Sequence, residues 1–120
     1  GTAGFLRSMA VPRLEAMVQR LRMARHEAFL EDRLEGTPPT IVLALRPWRG
    51  PWAPEPAPPR GRLLLALEDE GEGEQVVVRF WLDPGAEEPA QEARVPPAKV
   101  GAAWLEHVVV DFVRTLLSRA

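Results

Sequence analysis

His107 and Asp111 stand four residues apart in the C-terminal stretch KVGAAWLEHVVVDFVRTLLSRA. On a helix that spacing puts both side chains on one face. A carboxylate that orients an imidazole is half of a general acid–base site, so one reading of the chain is a small enzyme using His107 and Asp111. The other half is missing from the pattern. No Ser, Thr or Lys nucleophile is tied to the pair by spacing, and no glycine-rich turn accompanies it. His107, Asp111, Arg114 and Ser118 also form the polar stripe of an amphipathic helix, where such a contact needs no catalytic partner. That simpler reading is adopted. No catalytic residue is assigned, and the chain is expected not to be an enzyme.

Other chemistries are weaker still. EDEGEGE, residues 68–74, gathers carboxylates around two glycines, but it lacks the alternating Asp order and the distant Glu of a calcium loop. It reads as the acidic tip of a hairpin. There is no phosphate-cradling glycine motif and no nucleophile elbow. The absence of cysteine removes thiolate chemistry, disulfides and cysteine metal sites. No metal and no cofactor are expected.

Fourteen arginines and one lysine balance seventeen acids, for a net charge of −2. The lack of Asn, with abundant Ala, Gly, Pro and Arg, matches the codon bias of a GC-rich genome. No apolar run approaches the roughly 20 residues that span a bilayer, and the N-terminus lacks a signal-peptide core. A soluble protein of the cytoplasm or another intracellular compartment is expected, with no membrane partner.

The chemistry-bearing residues must be carried by a few elements. PRLEAMVQRLRMARHEAFLEDRLE, residues 12–35, has helical periodicity and ends at Gly36-Thr37-Pro38-Pro39. Residues 40–46 read as a strand. Residues 62–69 and 75–82 flank the Gly and Glu turn as a hairpin, and QEARV, within 83–97, as a short edge strand. The last stretch is a helix with Leu105, Val108, Val109, Phe112 and Leu116 inward. This predicts an α+β two-layer domain: a long N-terminal helix, a three- to four-stranded antiparallel sheet in the order α-β-β-β-α, and a C-terminal helix packed on the sheet. Residues 1–11 are expected to be a flexible or vector-derived lead, and residues 12–120 a single domain with a proline-rich loop at 47–61.

Helix–three strands–helix is also the order of the double-stranded-RNA-binding domain, which the chain resembles in topology alone. That likeness implies an RNA-binding alternative. It requires a basic stripe, and only Arg20, Arg22, Arg25 and His26 form a basic cluster. The electrostatics argue against a nucleic-acid partner. RWD-type interaction domains are similar in the same way, and they imply a protein partner.

Two features point to protein contacts. WRGPWAPEPAPPRG, residues 48–61, places Trp48 and Trp52 in a segment stiffened by prolines. It reads as a strap over a sheet edge or an end of the core rather than a ligand for a proline-binding groove. Val77, Arg79 and Trp81 form a second strand face that is expected to be covered by the proline-rich loop, the first helix or a second copy. The predicted first helix also carries Leu14, Met17 and Leu21 at coiled-coil spacing. Arg20 and Arg25 lie in its basic N-terminal half, and Glu27 and Glu31 in its acidic C-terminal half. The expected function is therefore a non-enzymatic interaction or assembly module that self-associates by antiparallel pairing of its first helix.

Overall fold

A computed structural model describes residues 1–51, 60–69, 71 and 73–118. Trp52 and most of the proline-rich loop lie outside the described residues. The expected α+β class holds, with five strands rather than three or four.

The difference lies in the predicted first helix. Helix α1 spans Thr2–Met23, so it starts ten residues before Pro12 and stops twelve before Glu35. Its buried stripe is Leu6, Ala10, Leu14, Met17 and Val18. Residues 1–11 are thus a packed part of the domain rather than a loose lead. Pro12 removes one helical N–H donor, but Leu6 and Ala10 on one side of it and Leu14 on the other share one core, and the helix runs through.

The stop at Met23 uses an unusual residue. Arg25 takes the left-handed conformation, with φ of 72°. Its N–H donates to Arg22 O at 2.9 Å, and the His26 N–H donates to Leu21 O at 3.1 Å. These two bonds make a Schellman cap, a motif that glycine usually closes. With Arg in that place nothing breaks the helical periodicity, and a pattern reading runs straight on. The chain instead enters strand β1, Glu27–Arg33. Glu27 and Glu31 are strand residues, so the basic-then-acidic helix does not exist. Arg20 and Arg22 occupy the last turn of α1, where the helix dipole favours cations.

Strands β2 (Thr40–Arg46), β3 (Gly61–Asp69), β4 (Glu74–Trp81) and β5 (Gln91–Val95) follow. All neighbours pair antiparallel in the order β1-β2-β3-β4-β5. The Gly and Glu turn closes the β3–β4 hairpin with Gly71 and Gly73 at positive φ. A short 3₁₀ turn, Pro97–Lys99, leads to helix α2, Ala102–Leu117.

Period-two alternation then sorts the side chains. Ala28, Ile41, Leu43, Leu45, Leu63, Leu65, Leu67, Val76, Val78 and Phe80 point to the helical face and are buried. They meet the α1 stripe and Leu105, Val109, Phe112 and Leu116 of α2. The Phe80 and Phe112 rings stand 5.4 Å apart at 60°, a tilted pairing that aromatic quadrupoles favour.

Gly61 fixes how closely α2 approaches. A Cβ at this position would sit 2.7 Å from Leu116 Cδ2 and 3.0 Å from Phe112 Cζ, and both side chains are fully buried. Gly61→Ala is therefore expected to overpack the core by about 1–2 kcal/mol. Thermal unfolding followed by circular dichroism should show Tm lowered by roughly 5–10 °C. An unchanged Tm would place the end of α2 elsewhere.

Candidate functional site

Among the described residues, no helix lies over the face of the sheet opposite α1 and α2. Its residues form a grid set by the register. Glu31, Val42, Leu64, Arg79 and Glu92 make one cross-strand row. Arg33, Thr40, Ala66, Val77 and Arg94 make the next. Val77 and Ala66 are nonetheless buried, at 0% and 2% exposure. Charged side chains close over this apolar centre. Arg79 Nη1 donates to Glu68 Oε2 at 2.9 Å, and its Nε donates to Glu92 Oε2 at 2.9 Å. Arg94 joins both acids, at 3.8 Å and 3.3 Å. A shallow depression of about 500 Å³ runs beside this network. Among the described residues, Val77 is surrounded by an ion-pair lattice and not by the first helix, and Trp81 is half-buried.

The aromatic residues pair with arginines. Arg62 lies over the Trp81 ring at 5.1 Å, and the Trp81 Nε1–H donates to Glu87 O at 3.4 Å. Arg25 lies over Trp48 at 5.2 Å, while the Trp48 N–H donates to His26 Nδ1 at 2.9 Å. Arg22 covers Phe29 at 5.7 Å and donates from Nε to Ala28 O. Trp48 is therefore tied to the α1–β1 turn, with 43% of its surface left open. Two of the arginines of the basic cluster, Arg22 and Arg25, are occupied in these contacts.

His107 and Asp111 are both exposed on α2. They border a small groove of about 130 Å³ against β5, with Trp104 and Val95. No hydrogen bond joins them among the described residues. In the acidic turn, the Asp69 carboxylate accepts the Gly71 N–H at 3.0 Å, and no cluster of acids and histidines suited to a metal occurs among the described residues.

The predicted self-association residues are dispersed. Leu14 and Met17 are buried against the chain's own sheet, at 1% and 8% exposure, so their seam is filled from within. Glu27 pairs with Arg46 at 3.5 Å, and Glu31 with Arg33 at 2.7 Å. Arg20 and Leu21, with the edge of Met17 beside them, border a groove between α1 and α2. That groove is about 370 Å³, and its other wall is Glu106, Val109, Val110, Val113 and Arg114. Its floor is apolar. Val110 and Leu117 on α2 are each 39% exposed. The inner stripe dominates the sequence pattern of α2. The signal for the outer one was present in the Trp104, Val113 and Leu117 that widen the apolar surface.

The chain matches no family model, no curated protein and no solved structure. Among the described residues, no helix is long and apolar enough to cross a membrane.

The ion-pair lattice gives the open face a pH dependence. Hydrogen bonding by Arg79, reinforced by the charges of Arg79 and Arg94, holds the Glu92 carboxyl below its ordinary range. Hydrogen bonding to Glu68 and Glu92 likewise raises Arg79. A carboxyl with a depressed folded pKa adds stability above its unfolded value and loses it as pH falls through the folded one. Arg79→Met is therefore expected to lower Tm most near neutrality. The gap to wild type should narrow as pH falls below the carboxylate range, measured by thermal melts in matched buffers. A gap independent of pH would assign the loss to packing alone.

Proposed function

We propose that this domain is a non-enzymatic assembly module that self-associates through the face formed by α1 and α2. The observation that carries this reading is the second apolar stripe of α2. Leu105, Val109, Phe112 and Leu116 already bury the inner stripe in the core. Val110 and Val113 then extend the apolar surface round the helix towards α1, into a groove lined also by Met17 and Leu21, and Leu117 adds exposed apolar area at the end of the helix. A helix that serves only its own core needs one apolar stripe and carries polar residues elsewhere. Exposed apolar surface rimmed by charge is typical of protein contacts.

The first helix keeps a share in this surface through Met17, Arg20 and Leu21. Leu14 does not contribute, because it is buried against the sheet. RNA binding draws less support, because the rim of the groove mixes Arg20 and Arg114 with Glu106, and phosphate binding calls for a one-signed stripe.

Sedimentation velocity tests the reading. The wild type is expected to be dimeric at tens of micromolar. Val110→Glu, at a position already partly open to solvent, is expected to keep its far-UV spectrum and sediment as a monomer. A wild type that stays monomeric overturns self-association.

A further inference from the structure

The outer surface of α2 carries more than apolar area. Glu106, Val110 and Arg114 lie four residues apart in succession, so they form a single ridge along the helix. The ridge has a negative end, an apolar centre and a positive end. Neither the Glu106 carboxylate nor the Arg114 guanidinium has a hydrogen bond or ion pair among the described residues. This contrasts with the open sheet face, where Glu27, Glu31, Glu68, Glu92, Arg33, Arg46 and Arg79 are all in ion pairs. The two unpaired charges are equidistant in sequence from Val110.

Resting on the self-association proposed above, we infer that the partner is a second copy of this chain, docked α2 against α2 in antiparallel sense with Val110 on the two-fold axis. A two-fold contact is isologous: whatever residue i meets, that residue's counterpart meets i. Rotation about an axis through Val110 and perpendicular to the helices brings Glu106 of one copy to Arg114 of the other, and does so twice. The same rotation sets Ala103 opposite Leu117. Ala103 is small and exposed, so the exposed leucine meets a residue that leaves room for it. Ridges of residues spaced by four interdigitate in the commonest class of helix crossing. Arg20, on the α1 wall of the same groove, adds a second cation on the side where the partner's Glu106 arrives.

A parallel arrangement of the two helices is disfavoured by the same charges. It would set Glu106 against Glu106 and Arg114 against Arg114, with no unlike pair gained from the ridge. The sequence of charges along the ridge thus selects the antiparallel sense, and Val110 and Leu117 supply the apolar contact.

The chain contains no cysteine, so a single introduced thiol reports the axis cleanly. Val110→Cys is expected to form a covalent dimer under mild oxidation with oxidised glutathione. Thr37→Cys, in the exposed β1–β2 turn, should not. Charge reversal then reports the sense of the pairing. Glu106→Arg and Arg114→Glu should each weaken the dimer by roughly tenfold in sedimentation equilibrium, since two surface ion pairs become two repulsions. Both reversals in one chain should restore wild-type affinity. A parallel pairing would leave all three variants at wild-type affinity, and that result overturns the inference. A wild-type dimer in which Val110→Cys fails to cross-link overturns the α2 contact while leaving self-association intact. A monomeric wild type removes both, and leaves the groove to a different chain.

Discussion

The fold depends on a reversal made in three residues. At Ala24-Arg25-His26 the chain stops being a helix and becomes the first strand of the sheet that the helix lies on. Two backbone bonds, from Arg25 to Arg22 and from His26 to Leu21, close the helix end. The left-handed Arg25 turns the chain back at a conformational cost of about 1–2 kcal/mol for a residue with a Cβ. Arg22 and Arg25 offset some of it by covering Phe29 and Trp48. Because the reversal is so short, Ala28 is delivered directly beneath α1, and the alternation it starts is continued strand by strand to Phe80. Every later strand joins its predecessor as an antiparallel neighbour, so no crossover is needed.

One face of the sheet therefore takes both helices and the whole core. The other has to satisfy itself. It does so by surrounding Val77 and Ala66 with arginine and glutamate side chains that pair with each other. Arg79 is the hub of that lattice, reaching Glu68 on one neighbouring strand and Glu92 on the other. Exposed pairs contribute little one by one, but a network that also shields apolar side chains keeps water from the sheet. The same lattice makes this face a poor site for a charged partner, since its groups already hold one another. Unmet apolar area and unmet charge coincide elsewhere, on the α1–α2 side.

This distribution separates the residues that looked interactive from those left free. Leu14 and Met17 have the spacing of a coiled-coil seam because they pack on a sheet, and the same spacing serves both purposes. Glu27 and Glu31 look like the acidic end of a helix until the strand places Arg46 and Arg33 beside them. Val110, Glu106 and Arg114 attract less notice in the sequence, since they sit within a run of valines and charges that any amphipathic helix could carry.

Periodicity alone determined most of the architecture. The alternation in 75–82, the glycines of the acidic turn and the inner stripe of the last helix each follow from local geometry, and the two-layer α+β class follows from their order. QEARV, with prolines on both sides, is legible as an edge strand for the same reason. What the sequence could not decide is where the first helix ends. EAFLEDR alternates well enough for a strand and recurs well enough for a helix, and the glycine that would mark the boundary is an arginine. Only tertiary structure settles it, because the cap is stable when Ala28 finds the core and Arg22 finds the Ala28 carbonyl. Nor could the sequence separate a buried stripe from an open one on α2. Val109 and Val110 are chemically identical neighbours, and only the placement of the sheet makes one of them core and leaves the other facing outward.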